Sequence, residues 1–345
     1  MAIKLWEKDY KEADLEARLG DRRQLADIQL CTLADGSGAG MRVARLVTCS
    51  GFDVEILLDR GMDLGQARYR GIPLTWRGPG GLFHPHRAEQ SGKGWVRAFN
   101  GGLMSLCGLD NIGPPSRDVI LSNEIGQHGR VTYAQAEDVS LLRNGETGVL
   151  GLAGTLMLGS LGGHKLRVDR TLETTVGGTG LRLYDRIRNV GGIKAPLMVL
   201  YHSNFGWPLV SEDMTLTSPA LQIEPRDEPA VRGRESWDRF SVPQAGFEEQ
   251  VFFHGLAPAA QPNTFVSARI ENRHLGIGVE LSFDSYTLTH LTQWKLCGHG
   301  DYLLGVEPGN SPPIGQEEAH RARALPFLEP GESVEFRMEW RCYDL

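Results

Sequence analysis

The chain has 345 residues, 41% of them apolar and 23% charged, with a formal net charge of −7. The charge is spread without long acidic or basic runs, which argues against the clustered basic face of a nucleic-acid-binding protein, and no apolar run approaches the ~20 residues of a membrane-spanning helix. The five cysteines, Cys31, Cys49, Cys107, Cys297 and Cys342, are odd in number, widely spaced and free of any CxxC pair, so they read as reduced, packed thiols of a cytoplasmic protein rather than a disulfide framework.

The N-terminal stretch MAIKLWEKDYKEADLEARLG is charged throughout and lacks the apolar core of a signal peptide, so none is predicted. It holds the one persuasive helix, roughly residues 8–19, expected to pack against the edge of the fold. From about Met41 the chain reads as strands. DVEILLDRG places Val54, Ile56 and Leu58 on one face, and DGSGAGM just before it (Asp35–Met41) reads as a hairpin turn, since the dinucleotide fingerprint would require a parallel strand before it and a helix after it. Residues 77–94, RGPGGLFHPHRAEQSGKG, form a long polar loop. Its His84 and His86 have no third ligand nearby, so a solvated loop is expected rather than a metal site, and CGH at Cys297–His299 is equally weak.

The middle of the chain is a meander. LMLGS, HKLRVDRTLETTV, LRLYDRIRNV and APLMVLYHSN follow one another across LGG, GGTG and VGG, glycine pairs that suit tight hairpins. No amphipathic helix intervenes, which argues against a parallel α/β sheet, and a large antiparallel sandwich is expected. Residues 224–240 form a second irregular segment with room for a short helix. At the C-terminal end, SVEFRMEWRCYD alternates Val334, Phe336, Met338, Trp340 and Cys342 with charged or polar residues, the pattern of a half-buried strand. There is no GxSxG elbow and no repeat at solenoid or propeller periods.

Three stretches place a titratable residue at the end of an apolar strand among Gly, Pro and aromatics: His128 in NEIGQHGRVTY, His202 in VLYHSNFGWP and Glu307 in DYLLGVEPGN. His202 and Asn204 are two residues apart, so an extended strand points both the same way. Singly, each histidine reads as a hydrogen-bonded structural residue. Glu307 ends a buried-strand sequence, where a carboxylate needs partners or a function and tends to a raised pKa.

With these stretches in view, the chain resembles the aldose 1-epimerase (galactose mutarotase-like) superfamily, and more closely an uncharacterised aldose 1-epimerase-like branch of it. The motifs are DRGMDLGQARYRGIPLTW, GGLMSLCGLDNIG, HGR, YHSNFGWPL, FEEQVF and EPGN, spanning roughly Asp59 to Asn310. The resemblance implies an all-β, antiparallel β-supersandwich with few short helices. It implies one domain over residues 1–345, with 1–25 as a lead-in, and metal-free acid–base catalysis without a cofactor. Mutarotases carry one histidine in an HG motif, which His128–Gly129 matches, and a general-acid histidine before an aromatic–Asn stretch, which His202 resembles with Asn204 preceding Phe205. The base glutamate opens an E-P motif, as Glu307–Pro308 does. Where the family has a substrate-binding Asp, GFEEQ offers Glu248 and Glu249. The arginine of the family's GR…NR segment has no match, and the corresponding stretch places Asp110 and Asn111 toward the site.

The reaction implied is interconversion of the anomers of an aldose or related sugar, with Glu307 as base, His202 as acid and His128 on the ring oxygen or an adjacent hydroxyl. Gln293 and Lys295 share a strand face shortly before Glu307 and are expected to contact hydroxyls or an acidic group. Arg60 and Asp63 divide evenly between the cleft and an internal salt bridge. Trp76, Trp207 and Trp294 read as core or rim. Arg60, Arg97 and Arg130 are scattered but could converge on a phosphate. Two other readings stay open: an isomerase or lyase moving a proton at carbon in a keto-sugar or sugar acid, and a non-catalytic carbohydrate-binding protein. The expected partner is a small sugar, with neither nucleic acid nor membrane, and the sequence admits a homodimer.

Overall fold

The computed structural model describes residues 2–6 and 8–345, and its large elements are antiparallel sheets. The predicted meander holds for three strands: Val149–Gly159, Lys165–Thr175 and Gly180–Asn189 are sequential neighbours. The fourth segment departs. Its strand, Met198–Gly206, crosses to a different sheet, because all nine of its residues are apolar or buried polar and need cover on both faces.

Two sheets position the site. The eight-stranded sheet runs Glu137–Arg143, Val149–Gly159, Lys165–Thr175, Gly180–Asn189, Ser333–Asp344, Ile277–Asp284, Phe265–Asn272 and Met214–Thr217. The six-stranded sheet runs Gln222–Pro225, Gln250–Gly255, His290–Cys297, Tyr302–Gly309, Met198–Gly206 and Ser105–Leu109. A five-stranded sheet from Ala26 to Pro73 completes the sandwich, and Asp35–Met41 is the connection between its first two antiparallel strands, as expected. The inner faces meet in one apolar cluster that includes Val54, Ile56, Leu58, Tyr201, Phe205, Val306, Phe336, Met338, Trp340 and Cys342. Polar ties cross the same interface: Tyr201 Oη donates to Asp185 Oδ2 at 2.8 Å, and Trp340 Nε1 donates to Ser203 Oγ at 3.2 Å. One face of the Met198–Gly206 strand is therefore committed to the core, which leaves His202 and Asn204 on the other.

That outer face is covered by a strap, residues 77–101. Its two ends pair as an antiparallel bridge, Arg77 with Gly101, and Gly102 N–H donates to Trp76 O at 3.0 Å. Gly101 lies at φ +68°, where any Cβ would also overlap the Trp76 carbonyl, so the neck of the strap requires glycine. The strap carries a single 3₁₀ turn, Pro85–Arg87, and a five-residue helix, Gly94–Ala98. The other irregular segment contains the short helix Glu228–Arg232, as its sequence allowed.

The helix expected over residues 8–19 is shorter. Lys8–Lys11 pairs as a strand with Ala2–Leu5, and only Glu12–Glu16 is helical. Leu15 is the one buried residue of that helix, too narrow a stripe to hold a longer helix on the fold. Among the described residues all five cysteines are free, no group of three or more His, Cys, Asp or Glu residues could hold a metal ion, and no helix is long and apolar enough to cross a membrane.

Candidate active site

The register of the six-stranded sheet builds the central pair. Ser203 stands opposite Val306 and Asn204 opposite Gly305, which sets His202 across from Glu307 on the outer face. Side chains directly opposite on antiparallel strands lie within reach of each other, and His202 Nε2 is 3.1 Å from Glu307 Oε1. Both residues are 3% exposed. The N–H···O alignment is too poor for a hydrogen bond, so Glu307 Oε1 has no partner, and His202 Nδ1 has none either. Asn204 completes this face. Its Nδ2 donates to His202 O at 2.7 Å and to Gly102 O at 3.2 Å, fastening the strap's neck, while its Oδ1 is buried without a donor.

Burial dominates the electrostatics. It pushes the Glu307 carboxyl well above the usual carboxylate range, with the Glu249 charge adding and Arg226 opposing. It lowers His202 to about 4, against a smaller opposite effect of the Asn204 hydrogen bond. Burial thus favours the uncharged form of each group, a protonated carboxyl and a neutral imidazole. His128 is also driven neutral, to about 3, by burial and then by neighbouring His202.

His128 reaches the pair from a tight turn. It adopts φ 55°, its ring centroid lies 5.8 Å from that of His202, and Gly113 N–H donates to its Nδ1 at 3.4 Å. An acceptor role for Nδ1 puts the ring proton on Nε2. Asp110 and Asn111 stand behind this turn rather than in the site. Asp110 accepts from Arg130 Nε at 2.8 Å and from Arg130 N at 3.2 Å, and Asn111 ties Pro114 O, Gly126 O and Gln316 N. They hold His128 in place without facing the cleft.

An aromatic cage closes over the pair. Trp95 lies 4.4 Å from His128 and 5.7 Å from His202, Phe99 lies 5.4 Å from His202, and Trp294 lies 5.5 Å from His202. Trp76 stacks on Phe99 at 5.8 Å. Trp95 and Phe99 come from the strap, and their four-residue spacing on a short helix, in GWVRAFN, was the available sequence signal. Trp207 is exposed and takes no part. Of the two candidate acids, Glu249 is the one turned to the site: it accepts from Trp294 Nε1 at 3.0 Å and from Arg226 Nη2 at 2.9 Å, whereas Glu248 pairs with Arg232 in solvent. Arg226, which also escaped the sequence reading, is thus the cation at this rim.

Other expected contacts are directed elsewhere. Gln293 and Lys295 do share a face, but register places Thr292 opposite Glu307 and Trp294 opposite Gly305, so the two residues point to the opposite face. Gln293 Nε2 donates to Trp237 O at 2.6 Å and Lys295 Nζ to Ser236 O at 2.6 Å, holding the loop over that face. Arg97 is exposed and pairs with Glu89, and Arg130 is half-buried and pairs with Asp110, whereas Arg60 is buried. Asp63, raised to about 6 by burial against the opposing charge of Arg60, caps the open edge of the Ser105–Leu109 strand by accepting from Leu106 N–H at 2.8 Å.

The family model for DUF4432, a domain of unknown function, matches residues 38–342, and the chain belongs to that family. No curated protein matches. Among solved structures, the chain is similar to a candidate aldose 1-epimerase from Klebsiella pneumoniae subsp. pneumoniae MGH 78578, at TM-score 0.85 and 23% identity over 92% of this chain and 83% of that one. A galactose mutarotase-like protein from Clostridium acetobutylicum aligns at TM-score 0.64 and 14% identity over 93% of this chain and 100% of the other. Galactose 1-epimerase from Lactobacillus acidophilus NCFM aligns at TM-score 0.60 and 12% identity over 92% and 99%. The fold is therefore the galactose mutarotase-like β-sandwich expected from the sequence motifs.

Proposed function

We propose that this DUF4432 protein interconverts the anomers of an aldose or related sugar, with Glu307 and His202 as the acid–base pair. The observation that carries the reading is the pair itself: a carboxyl and an imidazole 3.1 Å apart, both buried, each with an unpartnered polar atom, under an aromatic cover. Buried polar atoms without partners are costly and rare, and they mark places where a polar ligand completes the hydrogen bonding. Sugars ask for such groups beside aromatic faces.

Mutarotation needs one proton taken from the C1 hydroxyl and one given to the ring oxygen as the C1–O bond breaks. The Glu307–His202 pair holds one mobile proton whichever group carries it. From the resting form, neutral His202 accepts the C1 hydroxyl proton and Glu307 donates to the ring oxygen, the reverse of the order expected from sequence. The open aldehyde rotates about C1–C2. On closure, Glu307 takes back the hydroxyl proton and His202 returns its proton to the carbonyl oxygen, so both groups serve as acid and as base within one cycle. His128 Nε2–H is positioned by its turn to donate to a sugar oxygen. Each positioned acid or base contributes ~10²–10⁴ in rate.

The test is proton NMR magnetisation exchange between α and β anomers in deuterated buffer, over aldoses, keto-sugars and uronic acids, with Glu307→Gln as control. Faster exchange than the control without C–H deuteration supports the reading. Deuterium at carbon without faster anomer exchange replaces it with a keto-sugar isomerase or lyase. Binding without either reaction leaves a carbohydrate-binding protein.

A further inference from the structure

Two of the largest fully buried side chains are arginines, Arg60 and Arg170, and their surroundings differ. Arg170 is saturated. Its Nε and Nη2 donate to the two oxygens of Asp185 at 2.8 and 2.6 Å, and its Nη1 donates to Gly61 O and Met62 O at 3.0 and 3.1 Å. Burial opposes its charge, but Asp185 more than compensates and its pKa stands above the ordinary arginine value.

Arg60 is 1% exposed and far less well served. Its Nη1 donates to Phe83 O at 3.1 Å, its Nη2 reaches Thr132 Oγ1 only at 3.5 Å, and its Nε has no partner. Among the described residues no carboxylate oxygen lies within the 4.0 Å of a salt bridge. Asp63 acts through an intermediary, because the Thr132 hydroxyl donates to Asp63 Oδ2 at 2.6 Å. Burial lowers the Arg60 pKa against the opposing charge of Asp63. A guanidinium does not lose its proton in a protein, so with Asp63 acting on the charge only from beyond contact, the buried Nε–H keeps the cost of an unmade hydrogen bond until a ligand meets it.

The position of Arg60 connects it to the site. Phe83 belongs to the strap that covers His202. Cys107 lies on the outer face of the strand beside His202, where burial raises its thiol pKa and the charges of Asp63 and Glu307 add to that against Arg60. Tyr133, next to Thr132, packs with Trp95, Phe99 and Cys107, and its Oη is buried without a partner. Arg60 Nε, Tyr133 Oη, His202 Nδ1 and Glu307 Oε1 are thus four buried atoms without partners, and Tyr133 shares with the strap's Trp95 and Phe99, both neighbours of His202, the apolar cluster that includes Cys107.

We propose that Arg60, with Tyr133, is the anion-recognising element of this site, so that the sugar acted on by His202 and Glu307 carries a carboxylate or a phosphate. The inference rests on the proposed anomer exchange. The planar fork of Arg60 suits either group, with the idle Nε edge available to it.

The first test uses the unaltered protein. Anomer exchange is compared for uronates, hexose 6-phosphates and the parent hexoses of gluco, galacto and manno configuration. At least one anionic series should exceed its neutral parent tenfold or more in kcat/KM, and which series does so separates carboxylate from phosphate. Equal or lower values for both series overturn the proposal. In Arg60→Gln the anionic-to-neutral ratio should fall tenfold or more, chiefly through KM, with Arg60→Lys keeping part of it. An unchanged ratio would make Arg60 a strap anchor and overturn the proposal. If the variants do not fold, the comparison on the unaltered protein decides. If no sugar is exchanged, the reading of the pair fails separately, and calorimetric binding of the same anions against their neutral parents decides for Arg60: preference for the anion supports it, and none overturns it.

Discussion

Gly305 makes room for Glu307: a Cβ on Gly305 would overlap Glu307 Oε1, two residues along on the same strand face. The carboxyl folds back over the glycine to reach His202, so the pairing depends on a residue with no side chain. A Gly305→Ala variant should lose ten- to a hundredfold in anomer exchange and about 1–3 kcal/mol of stability from overpacking. Kinetics and urea unfolding on one preparation check both.

Glu307→Gln should lose at least a hundredfold in exchange yet resist unfolding better near neutral pH. The sign follows from its raised pKa. The unfolded chain releases the Glu307 proton in the ordinary carboxylate range, while the folded chain keeps it, so the wild type loses stability as pH rises through that interval. The advantage of the variant should therefore be large at pH 7 and shrink toward pH 4. A difference in unfolding midpoint that does not vary with pH would contradict the assignment.

His254 provides the opposite slope outside the pair. It is held between Ser218 Oγ at 2.7 Å and Gln293 Oε1 at 3.0 Å, and burial lowers it to about 4. Its neutral form contributes stability above the unfolded value of 6.5, lost as pH falls toward 4. Chemical unfolding of wild type and His254→Gln across pH 4–7 should show a shallower acid loss in the variant, by on the order of 3 kcal/mol at most.

The Arg170–Asp185 pair, fully buried and joined by Tyr201, ties the two sheets together. Asp185→Ala strands a buried guanidinium and should cost about 3–5 kcal/mol. Replacing both Arg170 and Asp185 with apolar residues of similar volume should cost much less. A double variant as unstable as the single one would refute this.

Trp95 packs in the same apolar cluster as Cys107, a fully buried thiol that burial holds well above its usual pKa. In the wild type a thiol reagent should modify Cys31 and Cys49 while Cys107 stays protected. Trp95→Ala should raise labelling of Cys107 by tenfold or more, read by peptide mass spectrometry, with global unfolding affected much less than the labelling.

The legibility of this protein follows from the range of the interactions involved. Alternation in Ser333–Asp344, the glycine-punctuated hairpins, the shared face of His202 and Asn204 and the buried setting of Glu307 are local features, and a strand's period of two carries them into the structure unchanged. The motifs around His128, His202 and Glu307 likewise announced the fold. Register between strands is not local. It turns Gln293 and Lys295 away from Glu307, although their spacing does put both on one face of their own strand, because a strand's neighbours decide which of its faces meets the site. The strap's closure over the pair, the turn that places Asp110 behind His128, and the unequal partnering of Arg60 and Arg170 arise from contacts between residues tens of positions apart. Burial, which sets where the proton of the Glu307–His202 pair rests, is a property of the assembled sheets and the strap, and only the tertiary structure decides it.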